Sequence, residues 1–143
     1  MQESDFDAIF VCGGDAPPFI FPNAIELQKK FVSFYEAGKP SATLCHGTSL
    51  LLYTKLSNNK DLIAGKKITG FSNAEELLVK QKTGTTISPI MIETEAKKLG
   101  AEFKTLAPFA PYALADGNLI TGQQASSGKS TALLVIEQLL KDK

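Results

Sequence analysis

Apolar and polar positions alternate in short blocks along this chain. Asp7-Ala8-Ile9-Phe10-Val11-Cys12 is a brief apolar run stopped by Gly13-Gly14, the pattern of a buried strand. Pro17-Pro18 and Pro22-Asn23 mark a loop. From Ala24 to Ala37, Leu27, Phe31, Phe34 and Tyr35 recur at helical spacing, and Gly38 and Pro40 end the element. Ser41 to Leu44 reads as the next strand. Gly47 to Tyr53 reads as a helix whose Leu50-Leu51-Leu52 run predicts burial on all sides.

The polar loop Ser57-Asn58-Asn59-Lys60 separates that helix from a short strand around Lys67-Ile68-Thr69. Ser72 or Asn73 can cap a further helix, with Glu75 and Glu76 in its first turn, where carboxylates suit the dipole. Ser88-Pro89 predicts another helix start, closed after Lys97-Lys98 by Gly100. Glu102-Phe103-Lys104 is extended. Tyr112-Ala113-Leu114 and Leu119-Ile120-Thr121 flank Asp116-Gly117-Asn118, a hairpin signal. The last helix, Ser127 to Leu140, is expected to turn Ala132, Leu133, Ile136, Leu139 and Leu140 inwards. Strands alternating with helices predict an α/β sheet covered on both faces, with no repeat and no linker to divide it.

Composition narrows the function. The 143 residues suit one domain, and an apolar fraction of 43% suits a folded one. Fifteen basic residues balance fifteen acidic ones, which argues against nucleic acid or an anionic membrane as the main partner. No apolar run reaches membrane-spanning length, and MQESDFDAIF lacks the regions of a signal peptide. A reducing cytoplasm is therefore the expected compartment, with Cys12 and Cys45 free. Cys12 is expected as a small buried apolar residue. One histidine and two separated cysteines offer no metal-ligand spacing.

The chemistry concentrates in Ala42-Thr43-Leu44-Cys45-His46-Gly47-Thr48-Ser49-Leu50-Leu51. Cys45 sits where a strand hands over to a helix, a corner that exposes a nucleophile. Amides opening the next helix favour the reactive thiolate, and the N–H that follows can meet a developing oxyanion. A buried structural cysteine is the plain alternative. His46 is the acid/base partner to consider, needing a third group to orient its ring. Spacing alone leaves Glu75 and Glu76 as residues of a helix start. Gly13-Gly14 is either a ligand-binding turn at the strand ends or an ordinary one. Gly122 to Ser130 imitates a phosphate-binding loop but holds five residues between its glycines where four are required. A capped start to the last helix explains the same residues.

FVCGGDA, FPNAIELQKKFVSFYEAGKP, ATLCHGTSLL, GKKITGFSNAEE, EAKKLGAEF and ADGNLITGQQASS, in that order, resemble the ThiJ/PfpI superfamily. The likeness is to the branch holding heat-shock chaperones and glutathione-independent glyoxalases. It implies a flavodoxin-like three-layer sandwich with a mostly parallel sheet and a nucleophile elbow. It implies Cys45 as nucleophile, His46 as acid/base, Glu76 (with Glu75 as fallback) as orienting carboxylate, and the amides of Gly14 and His46 as oxyanion donors. Where the family loop usually reads Gly-Gly-His-Gly, this chain has Gly13-Gly14-Asp15-Ala16, and Thr48 replaces the usual proline. Family members carry a strand-helix-strand segment ahead of the strand near Asp7. The resemblance therefore implies that residues 1–143 are the C-terminal portion of the full domain, N-terminally truncated.

The expected activity is conversion of a small 2-oxoaldehyde, methylglyoxal to D-lactate, with no metal or organic cofactor. A homodimer is also implied. Rival expectations are a stress chaperone binding unfolded clients, an inactive truncated member, and a peptidase- or amidotransferase-like hydrolase.

Overall fold

Short apolar runs cut off by glycine and proline form the strands of a four-stranded sheet. In the computed structural model, which describes residues 2–141, β1 (Ile9–Val11) pairs in parallel with β2 (Ser41–Leu44). β2 pairs in parallel with β6 (Leu119–Gly122), which closes an antiparallel hairpin with β5 (Ala113–Asp116). The order is β1-β2-β6-β5. Asp116 lies opposite Leu119, so Gly117-Asn118 is a two-residue hairpin loop, as the sequence predicts. A second, parallel pair, β3 (Lys67–Ile68) with β4 (Glu102–Phe103), adjoins the hairpin strand. There the Lys67 amide donates to Asp116 Oδ2 and the Thr69 amide to Thr121 Oγ1.

Alternation along the strands sorts side chains to two faces. Val11 and Leu119 join a large core with Phe31 of α2 (Ile25–Glu36), Leu50 to Leu52, and Ile92 and Ala96 of α4 (Ile92–Lys98). Their sequence neighbours Phe10 and Ile120 face the other way, with Ala42, onto Val135, Leu134 and Leu139 of α5 (Gly128–Lys141). Helices thus cover both faces, giving the three-layer, mostly parallel α/β arrangement. No helix among the described residues is long and apolar enough to cross a membrane.

Five local expectations need correction. The stretch from Pro17-Pro18 to Pro22-Asn23 is not a loop: the prolines open a short helix, α1 (Pro17–Ile20), and a 3-10 turn over Phe21–Asn23, where the missing N–H costs nothing. Cys45–Tyr53 is a 3-10 helix rather than an α-helix starting at Gly47; residues 46 to 52 are all buried, so packing overrides the usual brevity of this conformation. Helix α4 begins at Ile92, not Ser88: the Ser88 hydroxyl donates to the Ile90 carbonyl, forming a local turn instead of a cap. On α5 the buried residues are Thr131 and Val135, and Leu139 packs against the core as expected, while Leu133, Ile136 and Leu140 are at least half exposed. Thr131 tolerates burial because its hydroxyl donates to Ser127 O. Cys12 is exposed, just past the last paired residue of the edge strand β1.

Candidate active site

The centre of the site is one strained residue. β2 ends at Leu44, extended at φ −136°, and Cys45 then turns to φ +59°. This left-handed conformation is uncommon for a residue with a side chain, and it persists only where the surroundings over-determine it. Two glycines provide those surroundings. A Cβ on Gly13 would lie 2.8 Å from Cys45 Cβ and 2.8 Å from the Leu44 carbonyl oxygen. A Cβ on Gly47 would lie 2.5 Å from the Cys12 carbonyl oxygen. The end of β1 and the turn after β2 therefore interlock backbone to backbone, which only glycine permits. Gly14 follows, exposed, at φ +111°.

His46 leaves this turn into the interior and is 2% exposed. Its Nδ1 lies 3.7 Å from Cys45 Sγ and its Nε2 lies 2.6 Å from Glu76 Oε1. Glu76 reaches it from the first turn of α3 (Asn73–Thr83), whose N-cap is Ser72. Burial by itself would lower the His46 pKa. Hydrogen bonds to Cys45 and Glu76, reinforced by their negative charges, outweigh it and push the value up to about 9. At neutral pH both ring nitrogens then carry protons, one directed at the sulfur and one at the carboxylate.

The ring is also held on its face. Phe71 stacks on it, with centroids 4.2 Å apart and planes at 29°. The Phe71 amide donates to the Cys45 carbonyl at 3.4 Å, so one residue grips both members of the pair.

Glu75 points elsewhere. Its Oε2 accepts from the Ser72 amide and hydroxyl, and its Oε1 accepts from the Phe109 amide and Gln123 Nε2, all within 2.9 Å. The structure thus brings Cys45, His46 and Glu76 into one line and leaves Glu75 out of it. Phe71, Phe109 and Gln123 were not among the candidates. Phe71 lay within the GFSNAEE stretch, whereas nothing local marked Gln123. Gln123 and Gln124, in the stretch that imitates a phosphate-binding loop, are buried and committed to internal bonds with Glu75, Leu106 and Ala110.

Comparison with known proteins adds relatives to this geometry. The DJ-1/PfpI family model matches residues 1–138. A probable glutathione-independent glyoxalase of Schizosaccharomyces pombe is 36% identical over 141 residues, covering 94% of this chain and 53% of that protein. A glutathione-independent glyoxalase of Saccharomyces cerevisiae is 33% identical over 149 residues, covering 97% of this chain and 60% of that one. The crystal structure of glyoxalase III from Candida albicans is similar at a TM-score of 0.83 and 30% identity, over 96% of this chain and 59% of that one. The chain spans a little over half the length of these relatives.

Proposed function

The chain belongs to the DJ-1/PfpI family, and on that footing we propose that it carries the catalytic core of a glutathione-independent glyoxalase acting on small 2-oxoaldehydes such as methylglyoxal. The observation that supports this reading most is the buried His46 held between Cys45 Sγ and Glu76 Oε1.

The residues suit the steps required. Cys45 adds as a thiolate to the aldehyde carbon, and the carbonyl oxygen takes a proton from His46 to give a hemithioacetal. The amides of Gly14 and His46 are the donors assigned to that oxygen while it is negative. His46, now neutral, removes the hydrogen from the former aldehyde carbon and returns a proton to its neighbour, leaving a 2-hydroxyacyl thioester. Water cleaves the thioester, restoring Cys45 and releasing the 2-hydroxy acid, D-lactate from methylglyoxal. The carbon skeleton is oxidised at one carbon and reduced at the next, so no external electron carrier enters. Glu76 keeps the imidazole aimed and balances its charge throughout.

The test is turnover of methylglyoxal by the purified protein and by Cys45→Ser. The reading predicts a loss of at least about a thousandfold in kcat/KM for the variant, as expected when a nucleophile is removed. Equal turnover by both would reject the covalent role. A second reading, a chaperone for unfolded clients, draws on the exposed Leu133, Ile136 and Leu140 of α5. Suppression of client aggregation that survives Cys45→Ser, without turnover by either protein, would favour it.

A further inference from the structure

The loop between β4 and β5 runs close to the site without contributing any of the three residues above. It is anchored almost entirely by side chains from elsewhere. Gln123 brackets Leu106, accepting from its amide at 2.9 Å and donating to its carbonyl at 3.3 Å. Gln124 Nε2 donates to the Ala110 carbonyl, and Ser126 Oγ to the Phe109 carbonyl. At the middle of the loop Phe109 adopts φ +63°, the left-handed region that a phenylalanine seldom enters. Its amide donates to Glu75 Oε1 at 2.8 Å, and Gln123 donates to the same oxygen. Strain at Phe109 is thus offset by a bond to a fully buried carboxylate.

The strained turn directs the Phe109 ring edge-on against Phe71, with centroids 6.3 Å apart and planes at 67°. Phe71 in turn stacks on His46. A continuous ladder runs from Lys82, whose Nζ lies 5.9 Å from the Phe109 centroid, through Phe109 and Phe71 to the imidazole. The bonds from Cys45 and Glu76 act near the ring plane. Rotation about their axis is resisted by what presses on the ring faces, and Phe71 is stacked on one of them.

We propose that Glu75 is a positioning residue for the reaction: by clamping Phe109 in its strained turn it backs Phe71 against His46, holding the imidazole at the tilt that serves Cys45 and Glu76 together. This rests on the glyoxalase reading for its catalytic consequence, but not for its structural one. Proton transfer between fixed atoms is steep in geometry, and a displacement of about 1 Å can cost on the order of a hundredfold.

The experiment uses the fact that the chain has a single histidine. Ring current from stacked Phe71 displaces the His46 ring-proton resonances upfield, which NMR reads without substrate. Glu75→Gln and Phe109→Leu should each move those resonances towards unstacked positions, while Phe109→Tyr keeps them. Phe109→Leu keeps the Glu75 carboxylate and the backbone amide it binds, so it separates the aromatic path from a direct shift of Glu76. It also replaces a partly exposed ring, so it serves if Glu75→Gln fails to fold. On methylglyoxal, Glu75→Gln and Phe109→Leu should lose on the order of tenfold to a hundredfold in kcat with KM nearly unchanged, and Phe109→Tyr should recover it. Unchanged His46 resonances in a folded Phe109→Leu protein would overturn the proposal, as would a shift equal in Phe109→Leu and Phe109→Tyr. A wild-type protein inert towards methylglyoxal would instead reject the glyoxalase reading and leave the ring-proton result standing.

Discussion

Glu75 and Glu76 are neighbours on one helical turn, yet they serve two regions with opposite characters. Glu75 faces the loop from Leu106 to Tyr112, and both of its oxygens are used twice. Glu76 faces the cysteine-histidine corner with one oxygen 2.6 Å from His46, and its buried Oε2 has no hydrogen-bond partner among the described residues. A saturated carboxylate with four neutral donors is a structural joint. A carboxylate with unused capacity beside a charged imidazole is an electrostatic element, since it opposes the charge without being fully occupied by it. One residue of helix separates an anchor from a counter-ion. The difference teaches that burial alone does not mark function; the identity and number of partners do.

Substitutions at the two positions should therefore fail in different ways. Glu75→Ala removes the acceptor of four donors, three of them in buried bonds, and should lower unfolding free energy by about 3 kcal/mol or more, read from denaturant midpoints. Glu76→Gln keeps the size and an acceptor oxygen but removes the charge. It should lose on the order of a hundredfold in kcat/KM for methylglyoxal while its midpoint moves far less than that of Glu75→Ala. Equal stability losses from the two variants would erase the distinction drawn between them.

A further effect should appear in the pH dependence of stability, spread over more than two pH units. The His46 pKa is raised from 6.5 to about 9 on folding, so the folded form binds its proton more tightly than the unfolded form. The stabilisation is fully present below pH 6.5 and declines as pH rises towards about 9. Denaturant midpoints of the wild type should fall across that window, and those of Glu76→Gln should fall less. A midpoint rising with pH there would have the wrong sign.

Much of the architecture was legible because glycine and proline punctuate it. Gly13-Gly14, Gly38 with Pro40, and Asp116-Gly117-Asn118 bound β1, α2 and the hairpin within a residue or two of their predicted ends. Periodicity misled on α5, where a threonine with an internal hydrogen bond took the inward place expected of leucines. At the site, the strand-to-corner pattern singled out Cys45 and His46 from the residues themselves. The choice between the two glutamates came from family resemblance, because spacing along one helical turn gives both the same standing. The anchoring role of Glu75 was not legible at all. Two of its four partners come from Phe109 and Gln123, 34 and 48 residues away, and no local pattern encodes a hydrogen bond over that separation.

The central claim is that one imidazole is held, charged, between a sulfur and a carboxylate. NMR titration of His46, the single histidine, measures this directly. The wild type should titrate near pH 9, and Cys45→Ser should move the midpoint down, because the sulfur's hydrogen bond and charge help to raise it. A midpoint at or below 6.5 that Cys45→Ser leaves unchanged would contradict the account.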